Sequence, residues 1–398
     1  METFLERPLA GLLVIALEQA VAAPLATRHL ADLGARVIKI ERPGAGDFAR
    51  HYDQSVHGMS SHFVWLNRSK ESLALDLKHP QGMVVMERLL AKADLLVQNL
   101  APGALDRLGL APVTLLERFP RLIACSISGY GADGPYRDKK AYDLLVQAES
   151  GFLSITGIEE LPVKAGILIA DIAAGMYAFS GIMTALYRRQ QTGLGATLEV
   201  SMLEALGEWM GYPAYYTSYG GQAPGRSGAH HATISPYGPF VMQDERVLLI
   251  GIQNEREWVA FCEQVLHQPG LAHDPRFCTN TQRVQRRATL EALVQEVLAS
   301  MTIQQAMACL EQAQIAYGQM RSMQEFLEHP QLAARQRWST VDSPVGPLWA
   351  LHPPGLPDGT VPVFNAIPKI GQHTEAILRE IGFDDEQNAA GCKQGMPD

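Results

Sequence analysis

The chain has 398 residues, enough for two domains, and its 47% hydrophobic and 19% charged residues give a globular composition that excludes wholesale disorder. Its 33 Lys and Arg against 42 Asp and Glu leave a net charge of −9. That balance argues against a general nucleic-acid binder or a basic membrane-surface protein, and leaves room for a local basic pocket. No uncharged apolar run approaches the roughly 20 residues of a membrane span. The opening METFLERP carries two acids where a signal peptide has its basic region, and it reads as the lead-in to a first strand. The five cysteines (Cys125, Cys262, Cys278, Cys309, Cys392) are dispersed, so a reducing cytoplasm is expected, with neither a disulfide framework nor a zinc site.

Along the chain, LLVIAL at 12–17 predicts a buried strand, 24–33 a helix opened by Pro24 and closed by Gly34, and RVIKIE at 36–41 the next strand. LALDL at 73–77, a helix over 80–92 and DLLVQ at 94–98 repeat the pattern, and LIACSI at 122–127 precedes the Gly-rich SGYGADGPY. Strands alternating with helices specify a parallel sheet covered by helices. A long helix over 172–189 is rich in Gly and Ala, which lets a neighbour come close. Residues 211–238, full of Tyr, Gly, Pro and His without helical periodicity, read as a crossing between domains. Beyond them a strand at 247–252 and helices over 257–266, 284–299 and 302–313 give a smaller α+β domain, and a Pro-rich stretch at 343–368 leads to a last helix at 373–381. The expected division is a large domain over 1–210, the crossing at 211–238, a small domain over 239–325, and a return at 326–398.

The first strand-to-helix turn reads EQAVAAP, without the glycines that a dinucleotide pyrophosphate needs, so NAD is not expected even though Glu41 ends the second strand where an NAD enzyme keeps its ribose acid. No phosphate-binding Walker motif is present. Asp171, in ILIADIAAG just before the long helix, reads either as an N-cap or as a nucleophilic carboxylate at a strand-to-helix junction. The two roles are compatible. His230 and His231 are adjacent, with no acidic or Cys partner at ligand spacing, which disfavours a metal and leaves a substrate-facing imidazole or a solvated loop. Arg42, Arg107, Lys139 and Lys140 read singly as solvated surface, yet the first follows a strand end and the last two follow the Gly-rich turn. Together they offer phosphate contacts at the carboxyl edge of the sheet.

Nine segments in a fixed order, among them APLATRHLADLGARVIKIERPGAGD, ADLLVQNLAPGALDRLGL and KAGILIADIAAGMYAFSGIMTALYRRQQTGLG, resemble the class III CoA-transferases, the family of formyl-CoA transferase and carnitine CoA-transferase that also includes the α-methylacyl-CoA racemases. The resemblance covers nearly the whole chain. It implies a Rossmann-like α/β large domain built from both chain ends, a smaller α+β domain and an interlinked homodimer. It implies that Asp171 is the catalytic residue. It implies coenzyme A contacts from Arg42, Asn99, Leu100, Arg107, Lys140 and Tyr142, with Val21, Ala22 and Leu75 on the adenosine side. Racemase members carry a His-Asp pair where this chain has Tyr142-Asp143, and Tyr, with an unperturbed pKa of about 10, is a poor neutral-pH base.

The expectation is therefore a cytoplasmic transferase that moves CoA from an acyl-CoA to a free carboxylic acid, with CoA as co-substrate and no tightly bound cofactor, metal, nucleic acid or membrane partner. Backbone N–H groups at the start of the long helix are candidates for holding the oxyanions. The segments SGAHHATISPYGPF and GIQNEREW resemble members acting on C4 and C5 dicarboxylates such as itaconate or mesaconate, with succinyl-CoA as donor and Arg226, His230 and His231 placed to hold the second carboxylate. An α-methylacyl-CoA racemase and a non-catalytic CoA-binding protein are the alternatives.

Overall fold

Six short runs dominated by Val, Ile, Leu and Ala pair in parallel in the computed structural model, which describes residues 7–383. Cys392 and the first six residues of the lead-in lie outside that range. The strands are β1 (Leu13–Leu17), β2 (Arg36–Glu41), β3 (Lys70–Ala74), β4 (Leu95–Gln98), β5 (Ile123–Ser128) and β6 (Ala196–Ser201), in the order β3-β2-β1-β4-β5-β6. Crossover helices α1 (Ala22–Asp32) and α2 (Pro80–Leu90) link the first strands, and α3 (Asp143–Glu149) and α4 (Ile169–Thr192) separate β5 from β6. The order reverses between β1 and β4, and open parallel sheets bind ligands outside the carboxyl ends of such a pair.

The third strand begins three residues before the expected 73–77, at Lys70, which is ion-paired inside the protein. The next residues turn instead, with Asp76 accepting from the Lys78 N–H at 2.9 Å and a Cβ at Gly82 blocked by the Asp76 carbonyl. Small residues do allow close approach in α4. A Cβ on Gly175 would stand 2.7 Å from the Ala22 carbonyl of α1. This 24-residue helix has the length and apolarity of a membrane span, but it packs on α1, β5, β6 and α5 (Met202–Trp209).

Backbone proximity divides the described residues into two units. One draws on the chain up to Ser150, on Ala165–Met210 and on the chain from Leu332 onward; the other comprises Gly151–Lys164 and Gly211–Gln331. The first unit is left at Met210, the expected limit, whereas the expected crossing over 211–238 falls within the second unit, which runs to Gln331 rather than 325 and also takes in residues 151–164. Residues 151–164 leave the first unit because their two-residue strands, Gly157–Ile158 and Leu161–Pro162, are tied to the 226–228 segment: the Gly228 N–H donates to the Gly157 carbonyl at 2.7 Å. The expected crossing opens as a helix, α6 (Gly211–Gly220), whose rings were read as loop because they show no apolar face. The second unit also holds an antiparallel sheet of β7 (Tyr237–Val241), β8 (Val247–Gly251) and β9 (Ala316–Gln319), packed through Phe240, Leu248 and Ile250 on α7 (Arg287–Leu298) and α8 (Ile303–Gln312). In the first unit, the Pro-rich return forms a hairpin, β10 (Trp338–Val341) with β11 (Leu348–Leu351), before α9 (Thr374–Glu380). The start of α9 seals the β3 edge, where Ser72 and Ala74 bond to His373 and Thr374.

Charges hold the carboxyl edge together from inside. Lys39, fully buried on β2, binds Asp47 at 2.7 Å and Glu18 at 3.2 Å, and Lys70 binds the same Glu18 at 2.6 Å. Burial opposes ionisation of Glu18, but the two ammonium groups hold its pKa below the usual carboxylate value. Removing one member strands the others in a medium that solvates them poorly. Glu18→Ala is expected to lose about 3–5 kcal/mol of stability by urea unfolding. A loss under about 1 kcal/mol would show that the lysines find other partners.

Candidate active site

The helix carrying Asp171 starts at Ile169, three residues before the expected 172, so Asp171 is not the N-cap but lies within the first turn. The cap position belongs to Leu168, which has no capping oxygen. Asp143 supplies one from another element: its Oδ1 accepts from the Ala170 N–H at 2.8 Å and the Asp171 N–H at 3.3 Å. The Ile169 N–H donates to Ile167 and the Ile172 N–H to Leu168. The first four N–H groups of α4 are thus engaged, and the expectation that they hold oxyanions is corrected accordingly. Burial, followed by the adjacent Asp143 charge, pushes the Asp171 carboxyl up to about 7. Burial and the Asp143 charge thus make Asp171 a more basic carboxylate than an exposed one.

At the β1/β4 reversal, Asn99 clips the end of β1. Its Nδ2 donates to the Gln19 carbonyl and its Oδ1 accepts from the Gln19 N–H, both at 2.8 Å. Val21, Ala22 and Leu75 are buried. Arg42, Arg107, Lys140 and Tyr142 are exposed; Arg107 folds back toward the Pro102 carbonyl at 3.5 Å. Leu100 lines a cavity of about 690 Å³ bounded by the ends of β4 and β5, by β6, by the 101–106 segment and by the 131–138 loop; Asp171 is not in its lining. Lys139, beside Lys140, pairs with Glu149 and sits over the Tyr136 ring. Both Glu41 oxygens have protein partners, Oε1 accepting from Arg50 and the Asp47 N–H and Oε2 from Arg50 and Ser72. Although burial opposes its charge, Arg50 at 2.7 Å and Ser72 at 2.5 Å keep its pKa at about 2.

Sequence reasoning missed Tyr52. Burial pushes its phenol up to about 12, and the charges of Asp47 and Asp171 and the nearby Tyr142 add to the shift, so it shares an electrostatic neighbourhood with the Asp171 carboxyl. Its ring stands edge-on to His62, which faces Asp53 at 3.3 Å. No periodicity or motif in HYDQSVHG marks it out.

Arg226, His230 and His231 lie in the second unit. The Arg226 guanidinium is directed at the carbonyls of Ser154, Ile158 and Glu159. His230 faces Glu291 at 3.3 Å. His231 stacks on Tyr237, and its Nδ1 accepts from the Thr233 N–H at 3.2 Å, which places the ring proton on Nε2.

The sequence model of CoA-transferase family III matches residues 9–374. The chain belongs to CoA-transferase family III. A mouse succinyl-CoA:glutarate CoA-transferase is 33% identical to this transferase over 384 residues, covering 96% of this chain and 88% of its own. The acetyl-CoA:oxalate CoA-transferase of Acetobacter aceti is 37% identical over 330 residues, covering 82% and 84%. A crystal structure of a CaiB/BaiF family protein from Brucella suis matches with a TM-score of 0.83 at 31% identity, over 94% of this chain and 100% of that one. The transferase is accordingly an α/β enzyme that exchanges CoA between acyl groups, with CoA thioesters as co-substrates.

The raised Asp171 pKa has a cost to stability with a definite sign. The native carboxyl holds its proton up to about pH 7, whereas the unfolded one releases it near its ordinary value, so the native state loses stability as pH rises between the two. Asp171→Asn is expected to raise the stability of the transferase at pH 8 by on the order of 1–3 kcal/mol and to change it little at pH 4. An equal effect at both pH values, by urea unfolding, would remove ionisation as the cause.

Proposed function

We propose that this enzyme moves CoA from an acyl-CoA, with succinyl-CoA as the first candidate, to a C4 or C5 dicarboxylic acid such as itaconate or mesaconate, through an aspartyl-CoA thioester on Asp171. The observation that carries the reading is the Asp171 carboxyl itself, part-buried in the first turn of α4 with its basicity raised. Its carboxylate attacks the donor thioester carbonyl, the C–S bond breaks, and CoA leaves as thiolate from a mixed anhydride. The thiolate attacks the aspartyl carbonyl of that anhydride, releasing the donor acid and leaving the aspartyl-CoA thioester. The acceptor carboxylate then runs both steps in reverse, so atoms and charge balance without redox chemistry.

In this reading Arg42, Asn99, Leu100, Arg107, Lys140 and Tyr142, with the backbone at Val21, Ala22 and Leu75, hold the coenzyme. The exposed cations at the carboxyl edge and the cavity beside Leu100 support that assignment. The dicarboxylate assignment draws on the glutarate and oxalate in the relatives' names. Of the three residues proposed for the second carboxylate, His231 has the strongest support, since its Nε2–H is the donor that the Thr233 contact leaves available. Arg226 has less, because its guanidinium is directed at three carbonyls. An interlinked homodimer in the cytoplasm belongs to the same proposal. It would cover Tyr215 and Tyr219 of α6 and Trp349 of β11, which are 69%, 85% and 73% exposed in the single chain.

Asp171→Asn is expected to bind CoA and lose transfer by at least about a thousandfold. Wild type incubated with acyl-CoA should yield an Asp171 adduct that hydroxylamine traps. An active Asn variant, with slow deamidation excluded by mass spectrometry, would sink the nucleophile. For the acceptor, itaconate is to be compared with the monoacid methacrylate. A preference for itaconate that drops roughly tenfold in His231→Ala supports a second-carboxylate contact, and equal kcat/KM for the two acids in wild type refutes it. The dimer is tested by light scattering on dilution, where a folded, active monomer would overturn it.

A further inference from the structure

The capping of α4 by a side chain from another helix points to a role that goes beyond holding the helix end. Asp143 opens α3, but its carboxylate serves α4, and both of its oxygens are engaged: Oδ1 takes the Ala170 and Asp171 N–H groups, and Oδ2 takes the Gln147 Nε2–H at 2.6 Å. Gln147, itself fully buried, closes the chain with its Oε1 on the Ala165 N–H at 3.0 Å. The pair therefore grips the backbone on both sides of the 166–169 segment that leads into Asp171. A helix N-terminus ordinarily stabilises an anion in its first turn. Here its N–H groups are occupied by a second carboxylate, so Asp171 gains little from them and faces a like charge instead.

We propose that Asp143, oriented by Gln147, is a positioning residue that fixes the backbone carrying Asp171 and keeps the α4 N–H groups from stabilising the Asp171 anion, leaving it a stronger nucleophile. The inference rests on the reading of Asp171 as the nucleophile. Asp143 and, through its phenol, Tyr52 are the titratable groups coupled to Asp171. The other elements packed on α4 bring Arg28, His29 and Asp32 on α1, Cys125 on β5, Glu199 on β6, and Glu204 and Glu208 on α5, and none of these perturbs Asp171. On α3 itself, Glu149 is paired with Lys139.

A charge swap separates position from electrostatics. Asp143→Asn alone removes the charge but turns an amide N–H₂ toward the Gln147 N–H₂. Combined with Gln147→Glu it restores every hydrogen bond: the new amide oxygen accepts from α4, its N–H₂ donates to the new carboxylate, and that carboxylate accepts from the Ala165 N–H. The negative charge then sits at position 147, away from the start of α4. The readout is the pH dependence of single-turnover acylation of the enzyme by its acyl-CoA donor, whose acid limb reports the Asp171 carboxyl. The limb is expected near pH 7 in wild type and lower by roughly one pH unit in both variants, because the adjacent like charge is gone. The rate at pH 8 is expected to fall at least tenfold in Asp143→Asn and to recover most of that loss in the swap. An acid limb in the swap that coincides with wild type overturns the proposal, as does a swap no faster than the single variant. Should the single variant not fold, the limb of the swap alone decides. Hydroxylamine trapping in wild type keeps the two readings apart. An Asp171 adduct with an unmoved limb overturns only the role of Asp143, whereas no adduct overturns the nucleophile and this inference with it.

Discussion

Lys39 is the constraint around which the carboxyl edge of the large sheet is built. It lies in the interior of β2 with no exposed surface, where a lone ammonium would be prohibitively costly. Glu18 from the end of β1 and Asp47 from the loop after β2 must therefore come to it, and Lys70 of β3 shares Glu18. Four residues from the end of β1, the interior of β2, the loop after it and the start of β3 become one unit, and the turns that carry them have little freedom left. Asp47 also accepts from the Ala20 N–H at 3.0 Å, holding Ala20 at a φ of 62°, a left-handed conformation that a residue with a Cβ adopts only under constraint. The turn after β1 thus bends sharply without the glycine of a dinucleotide fold. Gln19 stands on that turn, and its Oε1 accepts from the Phe48 N–H at 3.2 Å, which ties down the start of the short helical turn that leads to Tyr52.

A second buried charge orders the start of α4. The Asp143 carboxylate replaces the missing cap of α4 and leaves Asp171, the proposed nucleophile, in a part-buried site beside a like charge. The cost is borne by stability and the benefit by reactivity, because a carboxylate that holds its proton more tightly is also the better nucleophile once it is ionised. The two devices differ in sign. Around Lys39, opposite charges meet and depress the Glu18 pKa against its burial, while at Asp171 burial, joined by the like charge of Asp143, raises the pKa. One fixes backbone, and the other sets the basicity of a carboxyl.

The strand–helix alternation was readable because buried parallel strands are continuous apolar runs, and RVIKIE forms β2 at its expected limits. Departures fall where a polar residue has a partner distant in sequence. Lys70 joined β3 only because Glu18, 52 residues earlier, neutralises it. The helix α4 began before Asp171 because Asp143, 28 residues earlier, caps it. Residues 151–164 joined the second unit because Arg226 and Gly228 bond to their backbone. Local pattern contains none of these partners.

What the sequence by itself determined is the parallel α/β sheet, the absence of a dinucleotide turn, the resemblance to class III CoA-transferases, and the position of Asp171 as the proposed nucleophile. Each is written in contiguous residues, either as periodicity or as a motif. Tertiary structure alone decided how Asp171 is tuned, since its basicity depends on burial and on a carboxylate from another helix. It alone brought Tyr52 into the same electrostatic neighbourhood, and it alone showed that the Arg226 guanidinium is directed at carbonyls. Electrostatic energy depends on distance through space and on solvent exclusion, and neither quantity exists until the chain has folded.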